Sequence, residues 1–104
     1  MDRAEFLKRS AAALEHIDDV LGDLEHEDLD VELAADVLTL TFGDGTKFII
    51  NAHSAAGQVW MAANRSAWHF DWTGERWVAS ASGDELMATV SRTVSDKLGE
   101  QVEV

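Results

Sequence analysis

Apolar residues recur every three or four positions along the first quarter of the chain. On a helix they form one stripe, and Glu15, Asp18, Asp19 and Asp23 fall on the opposite side. Asp2, followed three residues later by Glu5, has the spacing of a capping box. The pattern therefore predicts a helix over about residues 2–24, packed through the stripe Phe6, Ala13, Leu14, Ile17, Leu21 and Leu24.

The hydrophobic period then changes from about 3.6 residues to two, which is typical of strands. The segment VLTLTF alternates, and GDGTKFIIN continues it after a turn. A two-residue loop would pair Leu38 with Asn51, whereas a three-residue loop with a left-handed Gly45 pairs Leu38 with Ile50. We favour the second register because it places the apolar residues of both strands on one face.

Three further segments, QVWMAAN, AWHFDW and ERWVAS, are predicted strands, and LDVELAA is a predicted short edge strand. Ser82 and Glu85 have capping-box spacing before a last helix, whose apolar stripe is Leu86, Val90, Val94 and Leu98. Short hairpins imply antiparallel pairing, and two amphipathic helices imply one covered sheet face. The prediction is a single α+β domain over residues 1–104. It is a two-layer α-β sandwich, with N- and C-terminal helices on one face of a five- to six-stranded antiparallel sheet.

The preferred register also assigns side chains to the two faces of the sheet. The face toward the helices receives Phe48, Ile50, Val59, Met61, Trp68, Phe70 and Trp72. The open face receives Asn51, Gln58, Trp60, His69 and Asp71. A tryptophan on a solvated sheet face favours an interface. The alternative is that neighbouring side chains shield Trp60.

Composition excludes several classes of protein. The chain has 104 residues, no cysteine and a formal net charge of −12. The length suits one domain, and the lack of cysteine excludes disulfides, thiolate catalysis and cysteine-ligated metal sites. The negative field disfavours nucleic acid and anionic membrane as partners. The charged N-terminus resembles no signal peptide and no apolar run approaches a membrane span, so we expect a cytoplasmic protein.

The negative charge is concentrated near the N-terminus. Residues 1–36 hold 12 of the 20 acidic residues, and His16–Asp36 contains no lysine or arginine. Carboxylates suit hard cations, but a row of them offers one or two oxygens per ion, so binding should be weak and unselective. The simpler interpretation is a solvated face that confers solubility. His16 and His26 flank the row and could add a nitrogen ligand, although a solvated surface role is favoured.

The order of a helix, an acidic segment, VLTLTF, GTKFIIN, QVWMAA, HFDW, GERWVAS and a helix resembles the bacterial frataxins, the CyaY group. The resemblance covers nearly the whole chain, and its most specific residues are Asn51, the Gln58-Val59-Trp60 triplet and Trp77. The loop after Asn51 departs from the family pattern at His53 and Ala55. The resemblance implies the sandwich already predicted, and a non-enzymatic role in iron–sulfur cluster assembly.

Carried over by position, the resemblance implies weak Fe²⁺ and Fe³⁺ binding by Asp18, Asp19, Asp23, Glu25, Glu27, Asp28 and Asp30, with Glu32 completing the ridge. It implies contacts with the cysteine desulfurase and the iron–sulfur scaffold protein through Glu15, Asp18, Asp19, Asp23, Asn51, Gln58, Trp60 and His69. We expect a monomer, with metal-induced oligomers as an alternative, and we give a haem site little weight. The competing hypothesis is an acidic adaptor that regulates the desulfurase without donating iron.

Overall fold

A computed structural model describes all residues, 1–104. In chain order the elements are α1 (Arg3–Asp23), β1 (Leu29–Ala34), β2 (Val37–Phe42), β3 (Lys47–His53), β4 (Gln58–Ala63), β5 (Ser66–Trp72), β6 (Trp77–Val78) and α2 (Leu86–Leu98). The six strands form one antiparallel sheet in the order β1 to β6, and both helices contribute buried residues to one core. The predicted two-layer α-β sandwich is confirmed.

Helix α1 begins as its sequence predicts. The Asp2 carboxylate accepts a hydrogen bond of 2.8 Å from the Glu5 backbone N–H, which satisfies a donor that the helix itself cannot pair. The predicted stripe is buried from Phe6 to Leu21. Leu24 was wrongly included, because the helix ends at Asp23 and the Leu24 side chain is 41% exposed.

The hairpin of β2 and β3 adopts the predicted register. Leu38 lies opposite Ile50, and Leu40 lies opposite Phe48. The Phe42 backbone N–H donates to the Thr46 carbonyl at 2.9 Å, which closes a three-residue loop. Gly45 has φ +89°, a conformation that costs glycine little because it lacks a Cβ. The apolar side chains of both strands therefore face the helices.

The core lies between the helices and the inward face of the sheet. Its fully buried members come from every layer, with Leu14 and Ile17 from α1, Phe48 from β3, Phe70 from β5 and Val90 from α2. Burying one such side chain stabilises the fold by about 1.5–3 kcal/mol. The edge-to-face pair of Phe6 and Trp77, with ring centroids 5.8 Å apart, joins α1 to the far edge of the sheet.

Two boundaries near the C-terminus differ from their predictions. The predicted strand ERWVAS is reduced to Trp77–Val78, because the Ala79 N–H turns away to the Asp84 carbonyl at 2.8 Å. The N-cap of α2 is Glu85 and not Ser82, and the Glu85 carboxylate accepts from the Met87 and Ala88 N–H groups. Residues 79–84 are thus a separate turn between β6 and α2.

Neither helix combines the length and the apolar character needed to cross a lipid bilayer.

Candidate functional site

The acidic ridge is the row of carboxylates predicted from the sequence, from Asp18 to Glu32. On α1 its members are Asp18, which is half-buried, and Asp19 and Asp23, which are exposed. Asp19 and Asp23 are four residues apart and so are neighbours on the helix surface. The last turn of α1 has no basic residue. Carboxylates there face the negative end of the helix dipole, so this arrangement opposes helix stability.

The middle of the ridge is the turn between α1 and β1, which carries Glu25, Glu27 and Asp28. Glu25 has φ +48°, a left-handed conformation that reverses the chain after the helix. Asp28 lies against the β2–β3 loop, where its carbonyl accepts from the Gly43 N–H at 3.0 Å. A Cβ on Gly43 would lie 2.8 Å from Asp28 Oδ1, so a larger residue there would displace the Asp28 carboxylate. The loop therefore positions Asp28.

The end of the ridge lies on the edge strand β1. Leu29, Val31 and Leu33 alternate with exposed residues and pack against the core, so Asp30 and Glu32 project from the opposite, open face of the sheet. The ridge consequently runs from the exposed side of α1, through the turn, to the open face of the sheet.

No member of the acidic ridge forms an ion pair. The three ion pairs of the protein join Arg9 to Glu5, His26 to Glu100 and Lys97 to Asp44. No three carboxylate or imidazole side chains come together in a cluster that could enclose a metal ion. The ridge is therefore an open row of uncompensated charges, in which an ion would contact one or two carboxylates and keep most of its water.

The histidines beside the ridge have different surroundings. His26 Nδ1 accepts from the Asp28 N–H at 3.0 Å, and His26 Nε2 lies 2.7 Å from a Glu100 oxygen. Both ring nitrogens of His26 are therefore used within the fold, which leaves neither free as a metal ligand. His16 is exposed on α1, one turn before Asp19.

The open face of the sheet carries an aromatic stack. Trp60 lies between His53, at a centroid distance of 3.9 Å, and His69, at 4.3 Å, and both imidazoles are within 16° of parallel to the indole. We call these three residues the Trp60 stack. Asn51 lies directly across the strand pair from Trp60. The open-face positions of Asn51, Gln58, Trp60 and His69 are thus as predicted from the register.

The alternative that neighbours shield Trp60 is correct in part. The indole is half-buried because a ring covers each of its faces. Its Nε1 donates to Gln58 Oε1 at 2.9 Å, and Gln58 Nε2 donates to Asp71 Oδ1 at 3.1 Å. Sequence reasoning placed these side chains on one face but missed this network, which depends on rotamers that strand periodicity does not specify.

Two carboxylates outside the ridge have lowered pKa values. The Lys97 ammonium and the Thr46 backbone N–H, which donate to the Asp44 carboxylate, hold the pKa of that group well below its usual range. Hydrogen bonds from the Trp68 indole and the Ser82 hydroxyl lower the pKa of Asp84. Both carboxylates are tied to partners within the fold, in contrast to the ridge.

Comparison with known proteins is consistent with this architecture. A family model described as a frataxin-like domain matches residues 1–100. The chain belongs to the frataxin-like family. An iron-sulfur cluster assembly protein CyaY of Neisseria meningitidis serogroup B is 34% identical over 104 residues, covering 100% of this chain and 96% of its own. The CyaY protein of Dechloromonas aromatica is 39% identical over 103 residues, covering 98% and 97%.

Solved frataxin structures share the fold. A frataxin from Psychromonas ingrahamii superposes with a TM-score of 0.90 at 28% identity, covering 99% of this chain and 97% of its own. A trimeric frataxin from the yeast Saccharomyces cerevisiae, complexed with ferrous iron, gives a TM-score of 0.77 at 27% identity, covering 88% and 86%. The frataxin resemblance read from the sequence is confirmed, whereas the roles of individual ridge and face residues stay predictions.

Proposed function

We propose that this frataxin is a non-catalytic component of iron–sulfur cluster assembly. In this role the acidic ridge binds Fe²⁺ and Fe³⁺ weakly and also attracts basic surfaces of the assembly machinery. The observation that carries the proposal is the uncompensated ridge, since none of its carboxylates has a cationic partner within the protein. The relatives named as iron–sulfur cluster assembly proteins support the same process.

The ridge geometry favours transient metal binding over storage in a cage. Each ion would contact carboxylates from adjacent positions such as Asp19 and Asp23, with water filling its remaining coordination sites. Binding would also relieve repulsion among carboxylates at the negative end of the α1 dipole. An ion held in this way can leave readily, which suits delivery to an acceptor. A yeast frataxin has been solved in complex with ferrous iron, which supports iron as the ligand proposed here.

An Fe²⁺ titration of the protein under anaerobic conditions, followed by NMR line broadening, tests the metal site. We expect broadening to centre on Asp18, Asp19 and Asp23, and to weaken when all three are replaced by Asn. The matched control replaces Glu75, Asp96 and Glu103 by their amides, because these carboxylates are exposed, unpaired and outside the ridge. Broadening centred on His53 and His69 would contradict the assignment, as would equal losses in the two triple variants.

A second candidate function is regulation of the cysteine desulfurase and scaffold complex without iron donation. The observation that favours it is the Trp60 stack, in which three aromatic rings from neighbouring strands lie together on the open face. Glu15, Asp18, Asp19 and Asp23 would then supply long-range attraction, and Asn51, Gln58, Trp60 and His69 would supply contact. Desulfurase turnover measured with and without iron separates the two functions, since an adaptor changes the rate equally in both.

A further inference from the structure

Five of the seven residues of strand β5 have no strand neighbour along its outer edge. Strand β6 pairs with β5 only at Asp71 and Trp72, although β5 begins at Ser66. The turn after β6 bonds to itself, since the Ala79 carbonyl accepts from the Ser82 and Gly83 N–H groups. Residues 66–70 therefore end the sheet on this side without a covering strand.

The two hairpins determine which backbone groups point outward from this edge. The Thr73 N–H donates to the Arg76 carbonyl at 2.9 Å, so Thr73 and every second residue before it face away from β4. Asn64 and Arg65, with φ +51° and +68°, form a two-residue turn that directs Ser66 toward β4. It follows that Ala67 and His69 point their N–H and C=O groups outward, where no backbone partner pairs with them.

A groove runs beside these groups. It has a volume of about 440 Å³ and lies between residues 66–69 of β5 and the turn at residues 79–82. A residue of an added strand occupies about 3.3 Å along the strand, about 4.8 Å between strands and about 10 Å across the sheet layer. The volume of the groove therefore corresponds to about three added strand residues. The Trp68 indole donates to the Asp84 carboxylate at 2.9 Å and connects β5 to the end of the turn at residues 79–84.

The opposite edge of the sheet differs from the β5 edge in the charge of its exposed side chains. Strand β1 carries the exposed carboxylates Asp30 and Glu32, and charged side chains on an edge discourage pairing with other strands. Residues 66–69 of β5, Ser-Ala-Trp-His, include no lysine, carboxylate or proline. Of the two sheet edges, only β1 therefore carries charged side chains that discourage the addition of another strand.

We propose that the outer edge of β5 is a docking site for an extended basic segment of a partner protein, which adds a strand beside Ala67 and His69. The segment should be basic because two of the residues that line the groove, Gln58 and Trp68, donate to carboxylates, Asp71 and Asp84 respectively. A second copy of this chain is disfavoured, since it carries the same net charge of −12. The site goes beyond the proposed function, because it requires neither iron nor the acidic ridge.

The test uses the full chain and a capped six-residue peptide that alternates lysine and valine. In an NMR titration we expect the largest amide shifts at Ala67 and His69, together with slower hydrogen exchange at both. A control peptide of the same sequence, in which every backbone amide is N-methylated, has the same charge but can donate a hydrogen bond from neither edge of a strand. It should bind about tenfold more weakly, because the backbone hydrogen bonds are lost.

A chain variant complements the peptide control. Ala67→Pro removes an outward N–H while sparing the bonds to β4, so it should weaken binding of the lysine–valine peptide and leave Fe²⁺ binding unchanged. Equal affinity of the N-methylated peptide for the unaltered chain would overturn the proposal, as would shifts centred on residues 18–32. Protection of Ala67 and His69 that grows with protein concentration, without peptide, would overturn it in favour of self-association.

Discussion

The acidic ridge and the Trp60 stack are two surfaces of the same domain that differ in whether their polar groups have partners within the fold. The ridge carboxylates have no cationic partners and repel one another. The groups around Trp60 satisfy each other, with two stacked imidazoles and a hydrogen-bond chain through Gln58 to Asp71. Binding of a positively charged ligand would therefore reduce the repulsion among the ridge carboxylates. The stack is preorganised and can bind with little further loss of side-chain entropy.

The contrast predicts different kinetic roles in the proposed binding to the desulfurase and scaffold complex. Long-range charge sets association rate, whereas a compact aromatic anchor sets dissociation rate. The variants below separate these roles, beginning with the largest expected effect.

The largest effect is expected from Trp60→Ala. Loss of the indole removes both stacking contacts and the donor to Gln58, so release of the complex should accelerate by about 10- to 100-fold. The salt dependence of association should be nearly unchanged. Association and release rates, measured with the complex immobilised on a sensor surface at several salt concentrations, give both the release rate and the salt dependence of association.

Ile49→Ala is the control for Trp60→Ala. Ile49 is half-buried on the same open face but outside the stack, so its truncation should change release far less. Unchanged release in a folded Trp60→Ala variant would show that the indole serves only sheet packing, and that the ridge docks alone.

The next effect concerns the charge of the ridge turn. Replacing Glu25, Glu27 and Asp28 by their amides should slow association at low salt by about tenfold and flatten its salt dependence, because long-range attraction is screened by ions. The release rate should stay near that of the wild type. A salt slope equal to that of the Glu75, Asp96 and Glu103 amide variant would mean that overall net charge, and not the ridge, guides docking.

A smaller effect is expected on stability. Asp19→Asn with Asp23→Asn removes repulsion and an unfavourable dipole interaction, so the free energy of unfolding should rise by about 0.5–1 kcal/mol at low salt. Urea denaturation measures the change. Glu5→Gln, in the first turn of α1, should lower stability instead, since a carboxylate there faces the positive end of the dipole. A destabilised double variant would mean that these carboxylates make contacts that support the fold.

The smallest effect is the acid dependence of the Lys97–Asp44 pair. Because the folded-state pKa of Asp44 lies below its ordinary value of 3.8, the pair stabilises the fold above that pH, and the contribution is lost as pH falls. The wild type should therefore be slightly more stable than Lys97→Met near neutral pH, and the two should converge in acid. Lys97→Arg retains the positive charge and should keep the pH dependence of stability. A difference in the free energy of unfolding between wild type and Lys97→Met that is the same at all pH values would show that the pair does not titrate with Asp44.

Much of the fold follows from local sequence alone. The Asp2 cap, the stripe of α1 and the register that pairs Leu38 with Ile50 each rest on residues that are close in sequence. Helix and strand periods specify which side of an element is apolar, and Gly45 specifies the loop. The open-face position of Trp60 and the acidity of the ridge were therefore predictable from the order of residues.

Long-range contacts decided the rest. Trp68 binds Asp84 across 16 residues, and the Asp84 carbonyl diverts Ala79 from β6, so the strand stops early and α2 begins at Glu85. His26 meets Glu100 only after the chain has crossed the whole sheet. The three rings of the Trp60 stack come from three different strands. Sequence periodicity determines the face of a side chain, but its rotamer and its distant partners are selected only when the elements pack.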